Sequence, residues 1–161
     1  MNPYASFLAN HSPSEVIAAT PGKLAGILQS LTAEQINRNP APGKWSVREI
    51  LCHLADCEIV FAFRIRQTLA QNDHVIQPFD QDTWAQNYSA YTAQAALDVF
   101  TAVRSWNQVL LQSLPAESFR RTVTHPERGA MTLQTVFETI GGHDLNHLKQ
   151  IEAIVTRAAS A

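Results

Sequence analysis

The chain has 161 residues, of which 45% are hydrophobic and 16% charged, and its formal net charge is −2. This length and composition predict one globular domain spanning 1–161, with enough apolar residues for a core. The near-neutral charge and the lack of a long basic run argue against a nucleic-acid partner. The apolar stretches fall short of the roughly 20 residues that a membrane span needs, and the N-terminus lacks the pattern of a signal peptide. A cytoplasmic location is therefore expected.

The two cysteines, Cys52 and Cys57, are five residues apart on a predicted helix. Their side chains then point in different directions and cannot form a disulfide without breaking the helix. Both are predicted to be reduced, as is usual in the cytosol. The charged fraction lies below the roughly 25% usual for globular proteins. The surface is therefore expected to use Gln, Asn, Ser and Thr, and another subunit, most simply a second copy of the chain in a homodimer, can cover part of it.

The first helix is predicted in two parts. Ser12 and Pro13 can start a helix, but Thr20-Pro21 interrupts it, because proline disfavours a helical conformation in the residue before it. The same pair can restart the helix as cap and first residue. Apolar residues follow at helical spacing, namely Leu24, Ile27, Leu28 and Leu31. We expect a short turn and then a helix over about 21–31.

Three local signals agree on the start of the second helix. Ser46 and Glu49 have the spacing of a capping box, in which each side chain accepts a hydrogen bond from the other's backbone N–H. Trp45 precedes the cap and can pack toward Ile50 as a hydrophobic staple. The helix is predicted to extend to about Gln71.

Residues 72–90 show no sustained period and predict a long connection. Its aromatic residues, Phe79, Trp84 and Tyr88, suggest that it packs against the core. A third helix is predicted from about Thr92 to Leu114, because its apolar residues recur at helical spacing and Pro115 ends it. The side chains expected to face the core are Ala96, Leu97, Phe100, Val103, Trp106, Leu110 and Leu114.

A second loop is predicted over 122–129, after which Thr132 can cap a fourth helix over about 133–157. No stretch shows a convincing strand alternation. Four helices with a long crossover connection between the second and the third predict an all-α four-helix bundle. Bundles of this kind place metal and cofactor sites in the core, on facing helices.

Three histidines lie on these predicted helices. His143 and His147 are four residues apart on the fourth helix and share one face, on or beside its apolar seam. Both imidazoles can reach one divalent ion, and His53 of the second helix can supply a third ligand, which leaves one position open for water or substrate. Imidazole suits Zn, Ni, Cu or Fe. The alternative is three separate histidines satisfied by hydrogen bonds or solvent, and the spacing alone does not decide between the two.

Three stretches carry a resemblance to a known family. They are Gly43-Lys44-Trp45-Ser46-Val47-Arg48-Glu49-Ile50-x-x-His53-Leu54-Ala55-Asp56-x-Glu58, then Asp82-x-Trp84-x-x-x-Tyr88, and finally Gly142-His143-Asp144-x-x-His147-x-x-Gln150-Ile151. With these motifs the chain resembles the DinB superfamily, and within it the DinB-like and YfiT-like group of metal-binding four-helix bundles. The resemblance extends over about 14–157.

The resemblance implies an up-down-down-up bundle, often dimeric, with a metal triad that falls on His53, His143 and His147. Characterised relatives include bacillithiol- and mycothiol-dependent S-transferases and a maleylpyruvate isomerase, and many others have no known activity. We therefore expect a metal-dependent enzyme that acts on small molecules, by transfer of a low-molecular-weight thiol or by hydrolysis. The expected ion is Zn or Ni, which lowers the pKa of a bound thiol or water. The alternative is a non-catalytic metal- or ligand-binding protein of the stress response.

Candidate pocket residues on the second helix each have two interpretations. Cys57, one turn after His53, could be a fourth metal ligand, but a place in the pocket wall is favoured because buried free cysteines are common. Asp56 or Glu58 could hydrogen-bond a ligand histidine. An ion pair with Arg64 or Arg66 is the favoured alternative.

The remaining candidates lie elsewhere in the chain. Asp144 could orient an imidazole or be a solvated charge, and Gln150 could support His147 or make a polar contact at the core edge. Trp84 and Tyr88 could line the pocket or cover the core. His125 could face the pocket mouth, but a position in a surface loop is favoured.

Overall fold

The computed structural model describes residues 1–159, which contain seven α-helices, two 3₁₀ turns and a small sheet. The helices are α1 (Ala5–Leu8), α2 (Pro13–Ser30), α3 (Ala33–Asn37), α4 (Val47–Ala70), α5 (Gln81–Ala85), α6 (Ala93–Ser113) and α7 (Leu133–Ala159). The strands are β1 (His74–Val75), β2 (Thr122–His125) and β3 (Gly129–Thr132), and the 3₁₀ turns are Tyr88–Ala90 and Ala116–Arg120. Among the described residues, no helix has the length and apolar character needed to cross a membrane.

Helices α2, α4, α6 and α7 form the predicted four-helix bundle, with up-down-down-up topology. Its most extensive packing is between α4 and α6 and between α2 and α7. The long connection between α4 and α6 allows these two consecutive helices to run in the same direction. Two apolar clusters fill the bundle, one around Leu51, Phe100 and Ile151 and the other around Ile65 and Ile140.

Helix α2 is continuous through Pro21, so the predicted break was wrong. Proline has no N–H and leaves the carbonyl four residues earlier without its helical partner. That carbonyl belongs to Ile17, and the buried Arg104 donates to it through Nη1 at 3.2 Å. The helix therefore passes through Pro21 because a side chain from α6 replaces the missing hydrogen bond.

The capping box at the start of α4 is confirmed. The Glu49 N–H donates to Ser46 Oγ at 3.3 Å, and the Ser46 N–H donates to Glu49 Oε2 at 2.7 Å. Trp45 packs against the apolar cluster that contains Ile50. The helix ends at Ala70, one residue before the expected end. This defined start fixes which residues of α4 face the bundle interior.

The three-stranded sheet was missed by the sequence analysis. Strands β2 and β3 form an antiparallel hairpin over the predicted loop, in which His125 pairs with Gly129, whose φ is +74°. Strand β1 adds to β2 in parallel. Each strand has two to four residues, which is too short for an alternating pattern to be recognised in the sequence.

The connection between α4 and α6 packs against the bundle as expected, but its aromatic residues differ in burial. Tyr88 is buried, while Trp84 is 40% exposed and rests on Phe79 with 4.9 Å between ring centroids. Helix α6 also differs from the prediction, because Trp106, which was expected to face the core, is 69% exposed. The buried positions nearby are Arg104, Asn107 and Leu111. The polar groups of the first two are paired inside the bundle, as described below.

The N-terminal segment packs on α7 at two consecutive glycines. A Cβ at Gly142 would lie 2.5 Å from the carbonyl oxygen of Tyr4, closer than any real contact, and one at Gly141 would lie 3.2 Å from Leu8. The absence of side chains there allows the segment to lie directly against α7. The ring of Tyr4 is thereby placed 5.2 Å from the ring of His143.

Replacing Gly142 with alanine should therefore displace the N-terminal segment. We expect Gly142→Ala to lower the free energy of unfolding by about 1–3 kcal/mol, the usual cost of overpacking. The matched control is Gly26→Ala in α2, where nothing lies within 4 Å of an added Cβ. It should stabilise the protein by about 0.5–1 kcal/mol, because alanine is the better helix former. Urea denaturation measures both, and equal effects would contradict the packing described.

Candidate metal centre

Three buried imidazoles from two facing helices meet inside the bundle. His53 comes from α4, and His143 and His147 come from successive turns of α7. The ring centroids of His143 and His147 are 4.5 Å apart, and His53 lies 5.2 Å from the first and 4.8 Å from the second. The Nε2 atoms of His53 and His143 are 3.2 Å apart. These are the three histidines that were grouped from the sequence, and the fold brings them together.

Cys57 joins this group. Its Sγ lies 3.5 Å from Nε2 and 3.8 Å from Nδ1 of His53, one turn earlier on α4. The potential ligand atoms of His53, Cys57 and His143 all lie within 4.8 Å of one another. In the described part of the chain, this is the only set of three or more such groups that is so compact. The ring of His147 contacts those of His53 and His143, but its nitrogens are not within 4.8 Å of all three of these ligand atoms.

Burial keeps the imidazoles neutral. Burial and the neighbouring His147 lower the pKa of His53 to about 3. Burial and the two other imidazoles lower the pKa of His143 well below its usual value. The pKa of His147 is also lowered by burial, although Gln150 and Asp144 act in the opposite direction. Neutral imidazole is the form that binds a metal ion, so these side chains need not lose a proton to act as ligands.

A hydrogen bond orients His147. Its Nδ1 lies 2.9 Å from Oε1 of Gln150, one turn later on α7. Because that oxygen accepts, Nδ1 carries the proton and Nε2 presents its lone pair. Of the two interpretations of Gln150, the contact with His147 is the one that the structure contains.

Aromatic side chains enclose the imidazoles. Trp45 lies 4.9 Å from His53 between ring centroids, and Tyr4 and Phe61 lie 5.2 and 6.0 Å from His143. Burial raises the pKa of the Tyr4 hydroxyl, which therefore stays protonated at neutral pH. These rings limit the rotation of the imidazoles and exclude bulk water from them.

A buried polar network lies beside the imidazoles. The guanidinium of Arg104 donates to both carboxylate oxygens of Asp144, at 2.6 and 3.0 Å, and to Glu58 Oε2 at 2.8 Å. The second oxygen of Glu58 accepts from Asn107 Nδ2 at 2.7 Å. Arg66 donates to Oδ1 of the same Asn107 at 2.7 Å, so two carboxylates and two guanidiniums make the network formally neutral.

Two sequence-based interpretations are corrected by this network. Asp144 is not a solvated charge, because it is 1% exposed and paired with Arg104. Glu58 does form an ion pair, but with Arg104 rather than with Arg64 or Arg66. Both differences have one cause, which is that Arg104 is buried on the side of α6 that faces α4 and α7. A distant arginine cannot be recognised as a partner from spacing along one helix.

The other candidates lie away from the imidazole cluster or contact it indirectly. Asp56 is half-buried and lies near Tyr88. The pKa of Tyr88 is raised first by the burial of its own hydroxyl and then by the charge of Asp56. The ring of Tyr88 is 6.2 Å from that of Trp45, which in turn contacts His53. His125 is buried in β2, and its Nδ1 accepts from the Glu127 N–H at 3.2 Å, so the predicted surface-loop position was wrong.

Three residues around the site, Tyr4, Arg104 and Asn107, are not predicted from the sequence. The sequence does contain a sign of Arg104 and Asn107, because they follow Phe100 at successive spacings of four and three residues and so lie on the same face of α6 as its apolar residues. Polar residues on such a face indicate a buried network. For Tyr4 the signal was the Gly141-Gly142 pair, since glycine inside a helical pattern marks a close approach of another chain segment.

The fold and the cluster together define a class, that of helical bundles with a histidine centre formed by the second and fourth bundle helices. Residues 17–151 match the model of the DinB superfamily, and the chain therefore belongs to that family, which confirms the resemblance.

Two relatives and one solved structure agree. A protein of Oceanobacillus iheyensis, provisionally named a metal-dependent hydrolase, is 27% identical over 138 residues, 85% of this chain and 80% of the relative. YfiT of Bacillus subtilis, named in the same way, is 25% identical over 146 residues, 89% of this chain and 82% of the relative. The solved structure of YfiT matches with a TM-score of 0.85 at 23% identity, covering 91% of this chain and 86% of that one. It is described as a probable metal-dependent hydrolase with an unusual four-helix bundle topology.

Removing Arg104 should destabilise the bundle strongly. Arg104→Met leaves two buried carboxylates without their cation, and the loss of one partner of a buried ion pair costs about 3–5 kcal/mol of unfolding free energy. Arg66→Met is the control, because half-buried Arg66 contacts no carboxylate of the described residues and donates to Asn107 Oδ1 at 2.7 Å and to the Ala62 carbonyl at 3.0 Å. It should cost about 1 kcal/mol. Chemical denaturation tests this, and a cost for Arg104→Met no larger than for Arg66→Met would contradict it.

Acid should destabilise the metal-free protein through the buried histidines. In the unfolded chain an imidazole titrates near pH ~6.5, while burial holds the pKa of His53 at about 3. Between these values the unfolded chain binds more protons, so the unfolding free energy falls as the pH is lowered. We expect chelator-treated protein to lose stability between about pH 7 and pH 5, and His53→Gln to lose less. Urea denaturation across this range measures it, and equal slopes for the two proteins would refute the assignment.

Proposed function

We propose that this protein binds one divalent transition-metal ion, Zn or Ni, through His53, His143 and His147 and is a metal-dependent hydrolase of small molecules. The observation that carries the proposal is the convergence of three neutral, buried imidazoles from two helices. The Nε2 atoms of His53 and His143 are within hydrogen-bond distance of each other, but that bond does not explain why the third ring, His147, lies 4.8 and 4.5 Å from them between centroids. The names of the two relatives support the same class of reaction.

Imidazole nitrogens suit a divalent transition-metal ion in chemistry, and those of His53 and His143 also suit it in spacing. Zinc-bound imidazole nitrogens lie about 2.0–2.1 Å from the ion, so two of them on one tetrahedral ion are about 3.3 Å apart. The Nε2 atoms of His53 and His143 are 3.2 Å apart. When bound, such an ion acts as a Lewis acid and lowers the pKa of a water or thiol that it coordinates.

The protein's own side chains have distinct roles in this proposal. His53, His143 and His147 hold the ion, and Gln150 orients His147 by its hydrogen bond. Asp144, held by Arg104, directly follows His143 and fixes that turn of α7. These contacts orient the ligands before the ion binds, which reduces the cost of assembling the site.

Transfer of a low-molecular-weight thiol is the second candidate reaction, and the charge near the cluster favours it. Arg64 acts electrostatically on Cys57, and Arg128 acts on Tyr4 and on Arg64. The Nε of Arg64 is buried without a hydrogen-bond partner. Two positive charges beside the cluster would attract a thiol that carries carboxylate groups.

Enzymatic assays of the metal-loaded protein test the proposed function and distinguish the two reactions. Hydrolysis should appear with a panel of activated esters and amides, whereas thiol transfer should appear as conjugation of monochlorobimane with one of several low-molecular-weight thiols. We expect chelation or His147→Gln to reduce the rate to background. The control is His74→Gln, a buried histidine of β1, which should keep the rate. Turnover that survives both chelation and His147→Gln would refute a metal-dependent reaction.

We also propose that the protein acts in the cytoplasm as a homodimer. The two cysteines are free thiols, which suits a reducing compartment. Large apolar side chains are exposed along one face of α4 and α6, namely Ile59, Phe63, Val99, Trp106 and Val109. A cavity of about 520 Å³ on this face is lined by Leu69, Trp106, Val109 and Leu110 among others. An apolar surface of this kind is typical of a protein–protein interface.

A charge in this face should separate the subunits. Trp106 is 69% exposed in the isolated chain, so Trp106→Glu should leave the fold intact and disfavour burial of the face. Light scattering after size exclusion should give twice the 17.8-kDa chain mass for the natural protein and the single mass for the variant. Trp84→Glu, on the connection between α4 and α6, should remain dimeric. A natural protein of single mass would rule out the dimer.

A further inference from the structure

We propose that Cys57 is a fourth protein ligand of the metal ion, so that the resting site has three imidazoles and one thiolate. This inference rests on the metal site proposed above and adds a ligand to it. From the sequence alone a place for Cys57 in the pocket wall is favoured, and the names of the relatives say nothing about this residue.

The distances around Nε2 of His53 carry the proposal. Zinc–sulfur bonds are about 2.3 Å and zinc–nitrogen bonds about 2.0–2.1 Å, so sulfur and nitrogen on one tetrahedral ion are about 3.6 Å apart. Cys57 Sγ lies 3.5 Å from Nε2 of His53, and the same nitrogen lies 3.2 Å from Nε2 of His143. Both separations are close to the edges expected of a coordination tetrahedron. The ligand atoms of Cys57, His53 and His143 lie within 4.8 Å of one another. Because Sγ is also 3.8 Å from Nδ1 of His53, it lies beside the ring, and rotation of the thiol or the ring would bring it toward the lone pair of Nε2.

The position of Cys57 on α4 explains this spacing. It follows His53 by four residues, so both side chains project from the same face of the helix. It is 7% exposed, and its sulfur approaches the imidazole nitrogen that faces His143 rather than only apolar atoms. Each cysteine belongs to one of the two apolar clusters, Cys52 to the one around Leu51 and Cys57 to the one around Ile65, but only Cys57 is part of the ligand group.

Binding would exchange a proton for the metal ion. The Cys57 thiol would lose its proton to solvent as the sulfur–metal bond forms, and no oxidant or reductant is needed. The position that three histidines leave open would then be filled by the protein. A substrate would have to displace the sulfur or enter as a fifth ligand, as catalytic zinc sites allow.

Cobalt substitution tests the inference independently of activity. Co²⁺ bound by a thiolate absorbs in the near-ultraviolet through sulfur-to-metal charge transfer, which imidazole and water ligands do not produce. We expect the tag-free protein loaded with one equivalent of Co²⁺ to show this band. Cys57→Ala should abolish the band and weaken Zn²⁺ binding at least about tenfold. Cys52→Ala, the matched control, should keep both the band and the affinity.

The possible results distinguish the role of Cys57 from the existence of the metal site. Stoichiometric Co²⁺ binding without the band, or a band that persists in Cys57→Ala, would overturn the role of Cys57 and leave the three-histidine site standing. Failure of the natural protein to bind Co²⁺ or Zn²⁺ would overturn the site itself and the ligand with it. Cys57→Ser, nearly equal in volume, provides a second variant, and an unchanged circular dichroism spectrum of the metal-free form shows that it is folded.

Discussion

The guanidinium of Arg104 connects all four helices of the bundle. From α6 it pairs with Glu58 on α4 and Asp144 on α7, and it donates to the Ile17 carbonyl that Pro21 leaves free in α2. Taking these charges out of water is costly, and a buried ion pair often adds little net stability compared with apolar side chains of the same volume. Its effect here is on relative position, because few alternative arrangements of the helices would satisfy all of these groups.

That positional constraint reaches the metal centre through the chain itself. Asp144 follows His143 directly, and Glu58 is five residues after His53 on the same helix. When Arg104 holds both carboxylates, it fixes the position of α7 along α4. The distance between the imidazoles of His143 and His53 is thereby fixed as well. The aromatic rings of Trp45, Phe61 and Tyr4 then limit the volume in which the imidazoles can turn. The burial that lowers their pKa values and the network that holds their helices are consequences of the same packing.

The elements that local interactions determine could be predicted from the sequence. The capping box of Ser46 and Glu49 fixed the start of α4, and the spacing of His143 and His147, with the family resemblance, selected the histidine group. The partner of Asp144 could not be predicted, because Arg104 lies 40 residues away on another helix. The continuity of α2 through Pro21 depends on a hydrogen bond across 87 residues.

The wrong predictions for Trp106 and His125 also have physical causes. Apolar periodicity cannot distinguish a side chain that faces the core from one on an exposed apolar face, so Trp106 was placed inside. The strands that bury His125 are too short to produce a pattern, and their pairing joins segments far apart in the chain.

The central claim is that the three imidazoles hold one divalent ion, and metal analysis of tag-free protein tests it most directly. Protein purified without a histidine tag, stripped with a chelator, reloaded with Zn²⁺ and passed over a desalting column should retain one ion per chain. A folded variant with glutamine at His53, His143 and His147 should retain none. Natural protein that is folded yet retains no more Zn²⁺ or Ni²⁺ than this variant would contradict the account.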